Sequence, residues 1–429
     1  MRKLALPLLL LAFHAIAPRA QIPCGYDPWY QRAQSQHPGF GARHLAFLQA
    51  QAHAAFAEYR NEEEYLIPVV VHILWREAAH NLSEERIRSQ IEVLNRDFGQ
   101  QNADLAQLRP EFTDVGTDAR IRFHLTEIVR VPTDSTFSLE VDWQGLELRL
   151  PEQLKQTARG GSDPWDPTYY LNVWVAPIEE DLLFGYAYPP PDLLNWPDNS
   201  AAEYYAFDGI VINYKAFGAQ PPPFLQADGS RTELRGRTLV HEVGHYLGLP
   251  HPWGNFALNQ DGCTYDDGIE DTPTSATPSF FDCDLSRNSC FAHLEDLPDM
   301  VENFMDYSND ACRVSFTHQQ VAIMRAVLAQ QRRKLRVLET DERYPTEIIV
   351  YPNPTSGEGR VYLRREIKSD YQFRLRNLAG ERLPIPVGRN NAEPGLSFSF
   401  DLSGLPNGVY LLELETQQWR FVKRVALLK

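Results

Sequence analysis

Residues 241–251 read His241-Glu242-Val243-Gly244-His245-Tyr246-Leu247-Gly248-Leu249-Pro250-His251. Residues four apart on a helix share a face, so His241 and His245 can aim two imidazoles at one metal ion. Glu242 adds a carboxylate beside that ion. Two helix-borne imidazoles, an adjacent carboxylate and an open position for water suit zinc and hydrolysis. Gly248 can take the left-handed backbone that ends a helix. Pro250 and Pro252 then stiffen the return that brings His251 back as a third ligand. A bare HExxH segment also arises by chance on buried helices. The added glycine and third histidine at this spacing make a ligand set the better reading.

The elements that must position these residues are legible in outline. At 429 residues the chain has room for two or three domains. Residues 64–75, centred on Ile67-Pro68-Val69-Val70-Val71-His72-Ile73, read as a buried strand. Pro68 belongs at its start or on an edge. Ser83 caps a helix whose first turn carries Glu84 and Glu85. Ile87, Ile91, Leu94 and Phe98 form its apolar stripe. Ile121, Phe123 and Leu125 alternate as a second strand. Further strands fall at 171–175, 184–187 and 208–213. This order predicts an α/β sandwich, with the histidine helix packed beneath a twisted sheet. Thr317 caps a last helix with Val321, Met324 and Leu328 inward, and Arg332-Arg333-Lys334 complement its dipole. Beyond about residue 346 the pattern changes to short alternating strands split by turns at 351–357 and 405–410, which is a small β-sandwich.

The net charge of −16 argues against nucleic-acid binding and against attraction to anionic membranes. The first residues have the form of a secretory signal: Arg2 and Lys3, then the apolar run Leu4 to Ile16, too short for a stable transmembrane anchor. Cleavage fits after Ala17 or Ala20. Pro18 disfavours the first, giving a signal segment at 1–20. No later stretch is apolar enough for a transmembrane anchor. Export permits disulfides. Of five cysteines, Cys263, Cys283, Cys290 and Cys312 cluster around the metal motif, and four cysteines allow three pairings. Cys24 is left over. Residues 21–62 are polar and irregular, weakly helical from Ala42 to Arg60 and without a core, which reads as a pro-segment.

The HExxHxxGxxH pattern resembles the metzincin metalloproteases. That likeness implies a tight turn downstream with a methionine beneath the metal, and Asn303-Phe304-Met305-Asp306-Tyr307 fits it. Together with Asp310-Ala311-Cys312 and Phe316-Thr317, the combination resembles the pappalysin family, which has bacterial members. The resemblance implies a catalytic domain over 63–338, with Zn2+ held by His241, His245 and His251. Glu242 would be the general base toward the metal-activated water, Tyr307 the stabiliser of the oxyanion, and Met305 structural support. It implies a cleft-edge strand at Gly185, Tyr186 and Ala187, where an extended peptide substrate adds its backbone; a plain edge strand is the alternative. It suggests Cys263–Cys290 and Cys283–Cys312 bridges. It also suggests Ca2+ at Asp267, Asp271 and Thr272, against the alternative of a solvated acidic turn. Pro252-Trp253 stands where the family has Thr-Phe.

Cys24-Gly25 is similar to the Cys-Gly that bacterial members carry near the start of the pro-segment. It implies a thiolate in the fourth zinc position and a precursor activated by cleavage near Arg60-Asn61. Pro23 replaces the arginine usual before that cysteine, which removes its carboxylate pairing. An unpaired or intermolecularly bridged thiol is the alternative. Asp306 and Asp310 fall near the floor of the pocket beyond the scissile bond, where either would favour basic side chains. After a linker at 339–345, residues 346–429 resemble the C-terminal sorting domain of the type IX secretion system of Bacteroidota; an adhesion or sugar-binding sandwich is the alternative. The whole reads as a latent, secreted zinc endopeptidase exported by type IX machinery to the exterior or outer cell surface. The rival reading is a non-catalytic surface adhesin on the same fold.

Overall fold

The computed structural model describes residues 24–36, 38–58, 64–141, 148–179, 183–190, 207–225, 231–254, 263–264, 266–291, 296–335, 348–363, 371–385, 387–389, 397–416 and 420–429. The signal segment 1–20, the linker 339–345 and the Arg60-Asn61 site fall outside these.

The helix expected from Ala42 to Arg60 is α2, which spans Phe40–Glu58, and the part before it, expected to be irregular, forms α1 over Tyr26–Gln36, with Gly39 at φ 78° in the turn between them. The sequence shows no core here because the segment shares one. Tyr26, Tyr30, Ala33 and Phe40 pack with Trp253 and Tyr307, which lie more than 200 positions away.

The chain then forms the spine of a five-stranded sheet, β1 (Tyr65–Trp75). After it come α3 (Glu84–Phe98), β2 (Ile121–Pro132), β3 (Leu171–Ala176), β4 (Gly185–Ala187) and β5 (Ile210–Asn213). The sheet order is β2-β1-β3-β5-β4. The first four are parallel, and β4 closes the edge antiparallel to β5. Parallel strands covered on both faces need continuous apolar runs, and every residue of β3 and β5 is buried. Pro68 lies just before β3 joins β1 at Val69, so it has a strand on one side only. On α3 the Ser83 Oγ accepts from Arg86 N at 3.2 Å, and Ile87, Ile91, Leu94 and Phe98 are buried.

Helix α4 (Arg237–Tyr246) lies beneath the sheet with all ten residues buried. Arg237 ties its start to α3 through Asp97 Oδ2 at 2.9 Å and to Asp104 Oδ1 at 2.7 Å. Helix α5 (His318–Ala329) opens on a capping box between Thr317 and Gln320. Of the basic run after it, Arg332 is engaged elsewhere. Arg332 lies beyond the helix, buried, and forks onto Asp208 at 2.7 and 2.8 Å. It also donates to Tyr246 O at 3.0 Å, so it staples the end of α4 to the segment before β5.

The C-terminal region is a small sandwich of two four-stranded antiparallel sheets with strands Ile348–Tyr351, Glu358–Leu363, Tyr371–Asn377, Arg382–Leu383, Val387–Arg389, Ser397–Asp401, Gly408–Thr416 and Arg420–Leu427. Val361, Phe398, Leu412, Leu414 and Val425 form its separate core.

Candidate metal centre

On α4, His241 and His245 stand one turn apart. The helix closes with Leu249 N donating back to Gly244 O at 2.9 Å, and Gly248 at φ 95° turns the chain. His251 comes back to the same point. Each Nδ1 faces an oxygen: Phe304 O at 2.8 Å for His241, Leu249 O at 2.7 Å for His245 and Asp27 Oδ1 at 2.8 Å for His251. An oxygen acceptor there holds the proton on Nδ1 and leaves the Nε2 lone pair free. The three Nε2 atoms lie 3.0, 3.1 and 3.3 Å from one another. Three lone pairs aimed at one point repel unless a cation lies between them, so the donor set fits a tetrahedral metal such as zinc. Burial pulls His241 and His245 well below the usual imidazole range, which keeps them neutral as ligands must be.

The surroundings fix these rings. The indole of Trp253 stacks on His251 with centroids 4.3 Å apart, so Pro252-Trp253 backs the third histidine with an aromatic face. Met305 is fully buried under α4. A Cβ on Gly244 would meet its Sδ at 2.3 Å, so the helix and the turn touch because that position has no side chain. Asn303 Oδ1 accepts from Met305 N at 2.9 Å and holds the turn. The same turn presents Phe304 O to His241. Tyr307 is buried with its ring centroid 5.6 Å from His241 and 4.7 Å from His251.

Glu242 and Cys24 complete the centre. The Cys24 Sγ and the three imidazoles offer ligand atoms all within 4.8 Å of one another, the one such cluster among the described residues. Glu242 is wholly buried, and burial pushes its carboxyl up to about 8. Burial and the Glu242 carboxylate push the Cys24 thiol well up. A cation on the sulfur would offset that cost. The N-terminal segment reaches the site through four consecutive residues. Beyond Cys24, Gly25 N donates to Gly185 O at 3.0 Å, Tyr26 stacks on His245 at 4.0 Å, and Asp27 holds His251. Cys24 and Gly25 thus pair with Gly185, at the start of the edge strand β4.

The other anticipated residues lie apart from this centre. Cys263 pairs with Cys290 and Cys283 with Cys312. Asp267 is buried and accepts from Ile269 N and Thr272 Oγ1. Asp271 accepts from Thr317 Oγ1 at 2.7 Å and Gln319 N at 2.9 Å, at the start of α5. Asp306 Oδ1 accepts from Ser279 N at 3.2 Å, and its buried Oδ2 has no hydrogen-bond partner among the described residues. Asp310 Oδ2 accepts from Arg235 N at 2.6 Å and Arg237 N at 3.1 Å, which caps α4, and its Oδ1 pairs with Arg313. Sequence reasoning missed Asp27, Arg313 and the carbonyls of Phe304 and Leu249. Only Arg313, next to a bridged cysteine, carried any local sign. No described helix is long and apolar enough to cross a membrane.

Two family models match the chain: peptidase M43, described as pregnancy-associated plasma protein-A, over residues 157–329, and the secretion system C-terminal sorting domain over 349–427. An extracellular metalloprotease of Arthroderma benhamiae is 31% identical over 163 residues, 38% of this chain and 48% of the relative. One from Colletotrichum graminicola is 28% identical over 59% of this chain and 74% of its own length. The chain thus spans about half the length of the first curated relatives it matches. Among solved structures, mature mirolysin of Tannerella forsythia in complex with a cleaved peptide is 32% identical with a TM-score of 0.52, covering 66% of this chain and 100% of that one. A promirolysin mutant from the same organism is 29% identical with a TM-score of 0.56, covering 73% and 97%.

Proposed function

We propose, from the premise that this chain belongs to the pappalysin family of metalloproteases, that it is a secreted zinc endopeptidase made as a latent precursor. The observation that carries this reading is the convergence of three Nε2 lone pairs beside one buried carboxylate. His241, His245 and His251 hold the zinc. When bound, it supplies Lewis acidity that lowers the pKa of water at the site and polarises a scissile carbonyl. Glu242 is not a ligand. Once the cleft is wet, its carboxylate takes a proton from the attacking water and passes it to the leaving amine. The Tyr307 hydroxyl donates to the developing oxyanion. Met305 supports α4 from below. The substrate lies extended along Gly185, Tyr186 and Ala187, supported by the use the N-terminal segment already makes of that edge.

Latency resides in residues 21–62. Cys24 takes the position that water needs, Asp27 holds His251 and Tyr26 covers His245. Loss of this segment leaves 63–338 as the active domain, while 346–429 directs export by type IX machinery. Ca2+ at Asp267, Asp271 and Thr272 belongs to the same reading; its support is the burial of the Asp267 carboxylate in a segment that also carries Asp266 and Asp271.

Metal analysis and peptide hydrolysis by the processed protein test the reading. Glu242→Ala should keep its zinc and lose about a hundred- to ten-thousandfold in turnover. His251→Ala should lose zinc. Near-native turnover in the first or undiminished zinc in the second overturns the assignment. A wild-type protein that holds zinc and cleaves nothing in a denatured protein mixture is the surface adhesin instead.

A further inference from the structure

A pocket is lined by Cys24, Phe184, His241, Glu242, Asp310 and Arg313. Its Asp310 and Arg313 charges are unequal in what they can offer a ligand. Both oxygens of Asp310 are engaged, one by two backbone N–H groups at the start of α4 and one by Arg313. Arg313 is buried to 93% and gives one Nη to Asp310 and the other to Asp306 O at 3.1 Å. Among the described residues its Nε–H has no hydrogen-bond partner. A buried donor without a partner costs roughly 1–3 kcal/mol until an acceptor reaches it. Asp306 is not among the residues that line the pocket.

We infer that Arg313 makes this pocket select an acidic side chain next to the scissile bond and reject a basic one. The inference rests on the hydrolytic reading above and names its substrate class. A glutamate entering past Phe184 places a carboxylate oxygen where it accepts from the Arg313 Nε–H, a charge-assisted bond about twice as strong as a neutral one. A lysine or arginine meets a guanidinium; of the two carboxylates that line the pocket among the described residues, Asp310 is already saturated and Glu242 stands at the histidines. Sites built to hydrogen-bond a substrate group discriminate strongly, because the analogue leaves a buried partner unpaired. The Cys24 side of the pocket clears when the N-terminal segment leaves, so the preference belongs to the processed form.

The test is cleavage-site profiling of the processed, full-length protein. It uses a denatured protein mixture, followed by matched peptides that differ only in Glu, Gln or Arg beside the cut. The Glu peptide should exceed the Arg peptide by at least about tenfold in kcat/KM, one hydrogen bond of this class. Arg313→Met should collapse that ratio to near unity. Because the single change leaves Asp310 without its partner, the double variant Arg313→Met/Asp310→Asn serves where the single one fails to fold; the Asn oxygen can still cap α4. A basic preference in the wild type, or a Glu-to-Arg ratio unchanged in a folded variant, overturns the inference. No cleavage of any peptide by zinc-loaded protein overturns the hydrolytic reading instead.

Discussion

Helix α4 and the N-terminal segment meet at the same three histidines, held there by different means. Every residue of α4 is buried. Arg237, Asp310 and Arg332 pin its two ends by buried ion pairs and caps. The N-terminal segment touches the centre through Cys24, Gly25, Tyr26 and Asp27, and several residues of α1 beyond them are exposed or half-exposed. A wholly buried helix shares the stability of the whole domain, whereas the N-terminal segment packs on the domain through one face, with Phe47 and Leu48 of α2 in the core, and among the described residues contributes no strand to the sheet. The three histidines are therefore fixed by the domain and their cover is a separate segment, which is the arrangement a latent precursor requires.

The largest break in this comparison should come from Cys24→Ala in the precursor. Without the sulfur at the metal position, water enters and the precursor should lose its own N-terminal segment more than about a hundredfold faster, ~2.7 kcal/mol. Intact-mass spectrometry over time reads this. An equally latent precursor would move latency away from Cys24.

A smaller effect should come from His44 on α2, whose Nδ1 faces Tyr30 OH at 3.1 Å and whose ring stacks on Phe40. Burial pulls its pKa from 6.5 down to about 4. The docked state therefore binds the proton less readily than the undocked one. Docking is fully favourable above pH 6.5 and weakens as pH falls toward 4. At pH 5 the loss is about 2 kcal/mol, roughly thirtyfold. Hydrogen exchange of α1 in a Glu242→Ala precursor, which cannot process itself, should show that fall in protection between pH 7 and 5. His44→Leu should abolish it. Equal pH dependence in both proteins would assign the effect to other groups.

The smallest should be Asp27→Asn. The amide oxygen can still accept from His251 Nδ1, so only the charge-assisted part of the bond is lost, about 1 kcal/mol. Processing should quicken about fivefold with zinc content unchanged. A loss of zinc would make Asp27 part of the metal site rather than of its cover.

Helical periodicity alone puts His241 and His245 on one face, and Gly248 marks where the helix can end, so the core of the metal centre was readable from eleven consecutive residues. The strands 65–75 and 171–176 were readable because strands buried on both faces need unbroken apolar runs. The bridges were not readable from spacing, since four cysteines allow three pairings; the family likeness suggested the pair of bridges that the structure contains. What only the tertiary structure decided involves partners far apart in sequence. Asp27 meets His251 across 224 positions, Arg332 meets Asp208 across 124, and α1 folds on Trp253 and Tyr307. Asp310, which looked like a substrate carboxylate, is spent on capping α4 and pairing Arg313. Local sequence sets which groups are present and their helical phase. Which acceptor each buried donor finds depends on the packing of the whole chain, because a buried polar group is satisfied by whatever the fold brings within 3 Å or so of it.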